Sequence, residues 1–367
     1  MRAVITGGGT GGHLFPGIAL ATAIQQRLPG SEILFIGTRR LVDQKALQNR
    51  GFQVAALDSS GVKGLGLGAQ LQSIVSQPAA IRQAWRMLKR FKPDLVFGVG
   101  GYVTGPVLLA ARMLGIATAI HEQNSVPGLA NRLAGRLVDR ICISIPCKPA
   151  FPAVKTVQTG NPVRAEIVAA GQEKKREVQP STVPSLLVIG GSQGAHALNE
   201  RMVQAMTLLH NEGIRLRLRH QTGSADAAMV QAGYEQAGVE AEVLPFITDM
   251  AAAYSAADLA VSRAGATSLA ELAVMGLPAV LVPYPYAADD HQATNAAYYA
   301  QGGGVKVFQE KDLNPELLAQ TIQALLEDHI QLERMGAAMH ALAQPEAAEL
   351  LVDECLALVA AKARAKE

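Results

Sequence analysis

The stretch "TGGGTGGHLFPG", residues 6–17, places five glycines among the six residues that stand directly ahead of His13. Glycine costs about 0.5–1 kcal/mol more than alanine inside a regular element, so such a cluster needs a local reason. Before it, Ala3-Val4-Ile5 is a short apolar run that reads as a buried strand. After it, Ile18, Leu20, Ala21, Ile24 and Leu28 recur at helical spacing, and Pro16 suits a first helical turn, so the helix is expected over 16–28. Strand, glycine loop and helix form a unit whose bare N–H groups and positive helix end can face an anion.

Gly7, Gly9 and Gly12 satisfy the dinucleotide pattern G-x-G-x-x-G. An NAD site adds an acidic residue at the end of the second strand to hold a ribose. Here Glu32-Ile33-Leu34-Phe35-Ile36 runs into Gly37-Thr38-Arg39-Arg40, with no acid in place. NAD is disfavoured, while the arginine pair keeps an NADP-dependent oxidoreductase as a minor reading.

The chain has 367 residues, 49% hydrophobic and 17% charged, with a formal net charge of +2. That length predicts two domains of ordinary size. Charges this evenly balanced speak against a nucleic-acid partner. Cys142, Cys147 and Cys355 are odd in number and lack partners at metal-ligand spacing, which predicts reduced thiols. The glycine loop opens too early for a signal peptide to fit. The longest apolar stretch, residues 103–120, is broken by Arg112 and is not a membrane span.

The strand–glycine–helix pattern then starts a second time. Ser185-Leu186-Leu187-Val188-Ile189 is the apolar run, Gly190-Gly191-Ser192-Gln193-Gly194 the loop, and residues 195–209 the helix. Ahead of it "GQEKKREVQPSTVPS", residues 171–185, is charged and aperiodic, and reads as a linker or surface loop. Both halves alternate short apolar strands with helical patterns, among them "DLVFGVG" and "RICIS" in the first and "DLAVS" and "PAVLVP" in the second. The expected fold class is α/β, with two Rossmann-like, doubly wound parallel-sheet domains facing across a cleft. The expected boundaries are a first domain over 1–164, a linker over 165–184 and a second domain over 185–345. A last helix over 346–367 should pack back toward the first domain.

A third glycine loop, "GVGGYVTGP" at 98–106, follows the strand of the first half that ends at Phe97. Three such loops at strand ends point to a cleft that handles anions. "HEQNSVPG", 121–128, offers His121, Glu122, Gln123 and Asn124 together, either to cap the helix after Pro127 or to touch a ligand. Arg164 in "GNPVR" can bind a phosphate or pair with a surface acid. "SRAGATSLAEL", 262–272, opens a helix with small and hydroxyl residues, so its N–H groups are available to a phosphate. Glu271 there can accept both hydroxyls of a ribose, or be an ordinary solvated glutamate. The amide of Gln292 in "DDHQATNA" suits sugar hydroxyls.

Residues 71–91 differ in character. Pro78 is expected to start a helix, with Ile81, Trp85 and Leu88 on one face and Arg82, Arg86, Lys89 and Arg90 beside it. Such a stripe is either core or an interfacial surface for anionic lipid. The crowding of cations and the neighbouring loop "GVKGLGLG" favour the lipid surface.

Together "GGTGGHLFPG", "GVGGYVTGP", "HEQN", "GNPVR", "GGSQGA", "SRAGATSLAE" and the "HQ" before Asn295 resemble the MurG family, with the motifs in that family's order. The resemblance implies a GT-B fold and an inverting transfer of N-acetylglucosamine from UDP to the 4-hydroxyl of the muramoyl sugar of lipid I. The product is lipid II, made at the cytoplasmic face of the bacterial inner membrane by a peripheral enzyme. It implies UDP-N-acetylglucosamine, lipid I, an anionic membrane surface and other cell-wall synthesis proteins as partners, and no cofactor or metal. Carried onto this sequence, Ser192 and the turn Ala266, Thr267, Ser268, Leu269, Ala270 and Glu271 hold diphosphate and ribose. The backbone at Ile247 holds uracil, and Gln292 holds the sugar. Arg164, Asn124, Thr10, Gly11 and Gly12 complete the donor side, while Gly98, Gly100, Gly101 and Tyr102 face the acceptor pyrophosphate. "YPYAADDHQ" ahead of Gln292 departs from some relatives.

His13 is read either as a residue that shapes the glycine loop or as the general base, with Glu122 as the other candidate base. A UDP-sugar 2-epimerase of the same fold class and a non-catalytic nucleotide-sugar-binding module are the rival functions.

Overall fold

The computed structural model describes residues 1–8, 11–38, 47, 50–57, 67–174, 183–191 and 194–365, with the backbone alone for 11–13, 67–77 and 174. The chain forms two units, one of residues 1–163 with 346–367 and one of residues 164–345.

The first unit runs β1 (Arg2–Gly7), α1 (Gly11–Arg27), β2 (Glu32–Gly37), β3 (Gln53–Ala56), α2 (Leu67–Phe91), β4 (Leu95–Gly100), α3 (Thr104–Met113), β5 (Ala117–Glu122), α4 (Leu129–Ala134), β6 (Arg140–Ile143) and β7 (Thr156–Gln158). Its seven strands lie in the order β3-β2-β1-β4-β5-β6-β7, every pair parallel. Strands buried on both faces carry unbroken apolar runs. Ala3, Val4 and Ile5 of β1 and Leu95, Val96 and Phe97 of β4 are such runs, all at most 1% exposed.

The second unit begins with α5 (Ala165–Lys174) and continues through β8 (Ser185–Ile189), α6 (His196–Asn211), β9 (Arg217–Gln221), α7 (Ala227–Ala237), β10 (Ala241–Leu244) and α8 (Met250–Ala256). It is completed by β11 (Leu259–Ser262), α9 (Ala266–Val274), β12 (Ala279–Leu281), α10 (His291–Gln301), β13 (Val305–Val307), α11 (Pro315–Glu327) and α12 (His329–Ala341). Its six strands are also all parallel, in the order β10-β9-β8-β11-β12-β13. In each sheet the order reverses once, between β1 and β4 and between β8 and β11. Ligands of open α/β sheets bind outside the carboxyl ends of the strands at such a reversal. The doubly wound α/β class read from the sequence is therefore the one observed.

The last helix, α13 (Ala347–Arg364), lies in the first unit. Leu351, Val352, Cys355 and Leu358 join the core formed by Ile5, Leu20, Ile24 and Phe97. Arg27 reaches Glu349 at 3.1 Å and Asp353 at 2.9 Å, and Lys362 reaches Asp139 at 3.1 Å.

Four local expectations are corrected. α1 starts at Gly11, not at Pro16, and α2 starts at Leu67, not at Pro78; both prolines lie inside their helices. An interior proline forgoes one helix hydrogen bond and crowds the carbonyl four residues back. Burial of Ile18, Leu20 and Ile24 in α1, and of Ala80, Ala84 and Leu88 in α2, outweighs that local cost. Residues 165–174, assigned from sequence to a linker, form α5 and pack on α8 and α9, with Ile167 fully buried. The charge of the flanking run hides this short apolar face. Ile81 and Trp85 are half-buried against the core of Leu34, Ile36, Ala84 and Leu88, and Lys89 Nζ sits 4.2 Å from the centre of the Trp85 ring. The stripe is core, and the cations beside it are the exposed part. Among the described residues no helix is long and apolar enough to cross a membrane.

Candidate functional site

At the first reversal the chain ends of β1 and β4 press together backbone to backbone. Gly101 has φ +93°, and a Cβ added there would lie 2.4 Å from the Gly8 carbonyl oxygen. Only a residue without a side chain fits that approach. Thr104 Oγ donates to the Gly100 carbonyl at 2.9 Å and so fixes the loop to the start of α3. Gly98 is different. A Cβ there would meet Thr104 Cγ2 at 2.6 Å and the Ile120 and Leu108 side chains at 3.2 Å, so its bareness serves packing within the unit. Tyr102 is 46% exposed beside the loop. Gly11, Gly12 and His13 form the first turn of α1. Thr10 and Ser192 lie outside the described residues.

The residues of "HEQN" end β5, and each is committed to the fold. His121 is fully buried; its Nε2 donates to the Gly160 carbonyl at 2.9 Å, and burial drives its pKa down to about 4, so the ring is neutral. Glu122 accepts from Asn124 N at 3.0 Å and Asn124 Nδ2 at 3.2 Å on one oxygen, and from Gly128 N at 3.1 Å and Asn131 Nδ2 at 2.9 Å on the other. Burial raises its carboxyl above the usual range while these donors pull against it. Two donors on each oxygen fill the acceptor positions of a carboxylate. Glu122 therefore folds the 122–131 turn, which does not suit it to accept a further proton. Gln123 Nε2 donates to the Val99 carbonyl at 3.0 Å, tying this turn to the end of β4.

At the second reversal the polar side chains are arranged otherwise. Glu271 projects from α9, where its side chain is 6% exposed. Arg164, at the head of α5, donates to Glu271 Oε1 through Nε at 3.2 Å and through a terminal nitrogen at 3.0 Å. Tyr254 of α8 donates its hydroxyl to Oε2 at 2.9 Å. Burial raises the Glu271 carboxyl and Arg164 is the main group lowering it, while burial and the carboxylate push the Tyr254 hydroxyl far above its ordinary range. The Tyr254 hydroxyl thus stays protonated and donates. Among the described residues Oε1 carries two donors and Oε2 one, which leaves one of the four acceptor positions of the carboxylate unfilled.

α9 begins at Ala266 behind Gly265, an N-cap residue with no side chain of its own to give. The first turn of a helix leaves N–H groups without partners inside the helix, and its dipole favours an anion. Ala266, Thr267 and Ser268 are half-buried there, with Leu269 and Ala270 buried behind them. Gln292 Oε1 accepts from Ala264 N at 3.2 Å and Tyr284 N at 2.9 Å. Two N–H donors fix the amide orientation, with the carbonyl half turned to the loop and the NH2 half away from it. Gln292, the Ala264–Gly265 loop, α9, Glu271 and Arg164 thus form one bonded chain. Elsewhere Ile247, 3% exposed, donates its N–H to Gln221 Oε1 at 3.0 Å.

Sequence reading missed Tyr254 and Gln221. Tyr254 gives no signal, since its partner Glu271 lies 17 positions away on another helix. Gln221 gives a weak one, a polar side chain at the carboxyl end of a strand, where ligand-facing residues gather.

The Glycosyltransferase family 28 N-terminal domain matches residues 3–143, and the Glycosyltransferase family 28 C-terminal domain matches residues 185–351. A protein of Desulfotalea psychrophila named "UDP-N-acetylglucosamine--N-acetylmuramyl-(pentapeptide) pyrophosphoryl-undecaprenol N-acetylglucosamine transferase" is 48% identical over 360 residues, 98% of this chain and 97% of its own. The crystal structure of Acinetobacter baumannii MurG superposes with a TM-score of 0.79 at 36% identity, covering 97% of this chain and 99% of that one. A Neisseria meningitidis UDP-GlcNAc 2-epimerase bound to UDP-GlcNAc reaches a TM-score of 0.68 at 14% identity, over 97% of this chain and 100% of that one, and shares the fold alone. Near-complete coverage at 48% identity, both family 28 domains and two parallel sheets with reversals at the motif loops lead to one assignment: the chain is a GT-B glycosyltransferase and belongs to the MurG family.

Proposed function

We propose that the chain transfers N-acetylglucosamine from UDP-N-acetylglucosamine to the 4-hydroxyl of the muramoyl sugar of an undecaprenyl-pyrophosphoryl acceptor, lipid I, with inversion at the anomeric carbon. The observation that carries the donor side is the bonded chain from Gln292 through the glycine-headed start of α9 to Glu271 and Arg164. It offers, in order, an amide donor for the sugar, N–H groups for the diphosphate and an acceptor for a ribose hydroxyl. Ser192 and Asn124 belong to the same proposal, and the backbone at Ile247 takes the base.

The acceptor oxygen attacks the anomeric carbon, the bond from that carbon to the UDP oxygen breaks, and the hydroxyl proton passes to a base. Charge then accumulates on UDP, where preorganised N–H groups and Arg164 oppose it. His13 is the base we assign. It follows the first glycine loop in the opening turn of α1, and imidazole titrates near neutral pH. Glu122 holds the neighbouring turn instead. The backbone of Gly100 and Gly101, with Tyr102, receives the acceptor pyrophosphate, while Thr10, Gly11 and Gly12 belong to the donor side. The lipid tail of that acceptor places the enzyme peripherally at the cytoplasmic face of the inner membrane. The exposed Arg82, Arg86, Lys89 and Arg90 of α2 attract its anionic lipids.

Incubation with UDP-N-acetylglucosamine and a lipid I analogue should yield UDP and the disaccharide lipid in equal amounts. UDP released without disaccharide lipid, or epimerised sugar nucleotide, would overturn the reading.

A further inference from the structure

Gln221 ends β9, the strand that lies between β8 and β10, and it is 4% exposed. Its carboxamide spans two loops. Oε1 accepts the Ile247 N–H at 3.0 Å in the loop after β10, and Nε2 donates to the Gly191 carbonyl at 3.2 Å in the loop after β8. The amide orientation is fixed, because an N–H can meet only the carbonyl half and a carbonyl only the NH2 half. The main chain repeats the connection. Gly190 N donates to the Gln221 carbonyl at 3.2 Å, and Thr222 N donates to the Leu244 carbonyl at 3.0 Å. A Cβ on Gly194 would lie 2.3 Å from the Thr222 carbonyl oxygen, so Gly194 itself lies directly against the end of β9.

A buried polar side chain needs a reason where an apolar one would fill the same space. Gln221 pairs both the Ile247 N–H and the Gly191 carbonyl, and removing it takes this partner from each. A loop rich in glycine has little side-chain packing to fix its place and depends on such external ties.

We propose that Gln221 is a positioning residue for the donor, setting the spacing between the loop that receives the diphosphate and the loop that receives the base. It rests on the proposed use of UDP-N-acetylglucosamine. With Ile247 N–H held by Gln221, the proposal gives the base the Ile247 carbonyl, which can accept an imide N–H. Gln221 touches neither reacting atom. Its effect is on donor affinity and not on the chemical step.

The test uses the full-length protein and the variants Gln221→Met and Gln221→Glu. Gln221→Met keeps the volume and loses both hydrogen bonds. It should raise the KM for UDP-N-acetylglucosamine and the Kd for UDP about 5–20-fold, with kcat and the KM for a lipid I analogue nearly unchanged. Gln221→Glu still accepts from Ile247 N–H but sets a carboxylate against the Gly191 carbonyl and the diphosphate loop, so it should weaken UDP more than uridine. In the wild-type protein, UDP should slow amide exchange in peptides covering Gly191 and Ile247 together. The proposal is overturned if Gln221→Met keeps wild-type donor KM, if donor and acceptor KM rise in parallel with a lowered unfolding midpoint, or if UDP protects one loop without the other. The exchange measurement decides the matter even where both variants fail to fold. Wild-type protein that does not bind UDP would instead defeat the proposed function itself.

Discussion

Between β1 and β4 the fold presents backbone. Gly8, Gly100 and Gly101 meet without side chains, and the polar residues around them, His121, Glu122 and Gln123, are turned inward onto carbonyls and N–H groups of their own unit. Between β8 and β11 the fold presents side chains. Among the described residues, Gln292 gives its carbonyl half to the loop with its NH2 turned away, and Glu271 gives three of its four acceptor positions to Arg164 and Tyr254. The same sheet topology thus carries two recognition styles. Bare backbone suits a pyrophosphate, which asks only for N–H groups and space. Half-committed side chains suit a sugar nucleotide, whose hydroxyls must be told apart by position. Structural commitment of one half of an amide or carboxylate orients the other half.

The largest expected effect falls on the backbone-built unit. If His13 is its reactive side chain, His13→Ala should lower kcat by roughly 10²–10⁴-fold and leave UDP-N-acetylglucosamine affinity nearly intact. Steady-state kinetics at saturating acceptor, with calorimetry of donor binding, measure both. Near-wild-type turnover, or poor donor binding, would make His13 a loop-shaping residue and erase the contrast.

Acid should strike both units alike. Each buries one neutral histidine, His121 with a pKa of about 4 and His220 with a pKa of about 3, both lowered by burial from an ordinary 6.5. The unfolded chain binds those protons first as pH falls. Stability from these groups is therefore complete above pH 6.5, declines below it, and is lost by about pH 3, on the order of a few kcal/mol per histidine. Urea unfolding from pH 7 to pH 4 should show a falling midpoint that His121→Asn or His220→Asn flattens. A pH-independent midpoint would show that neither ring is held neutral.

The smallest effect belongs to the side-chain-built unit. Glu271→Ala should weaken donor binding by about 1–3 kcal/mol, the range for hydrogen bonds to charged groups. It should also cost stability, because Arg164 and Tyr254 lose their shared partner. Glu271→Gln keeps an acceptor oxygen and should recover part of both. Unchanged donor affinity in folded Glu271→Ala, read by calorimetry, would remove the carboxylate from the donor site and leave it purely structural.

Much of the architecture was legible because its signals are local. Apolar runs of four to six residues followed by glycines or hydroxyls mark strand ends, and two rounds of that pattern mark two parallel sheets. Helix starts at Pro16 and Pro78 were misplaced because proline's local preference is weaker than the burial of the face that follows it. The motif positions were visible for the same local reason, but their hydrogen-bond partners were not. Arg164 and Glu271 stand 107 positions apart, and Gln221 and Ile247 stand 26 apart on different elements. No periodicity records such a pairing. Glu122 shows the consequence: its motif looked chemical, and only the four N–H groups around it reveal a structural carboxylate.

The membership of α13 in the first unit sets an order of birth. The ribosome completes residues 1–163 while the stretch carrying Leu351, Val352, Cys355 and Leu358 is still unmade. One wall of that core stays open throughout synthesis of residues 164–345, which have a core of their own to close. The half that begins first therefore finishes last. A chain released before residue 346 carries a closed second unit and an exposed apolar face on the first, a natural substrate for chaperones and proteases.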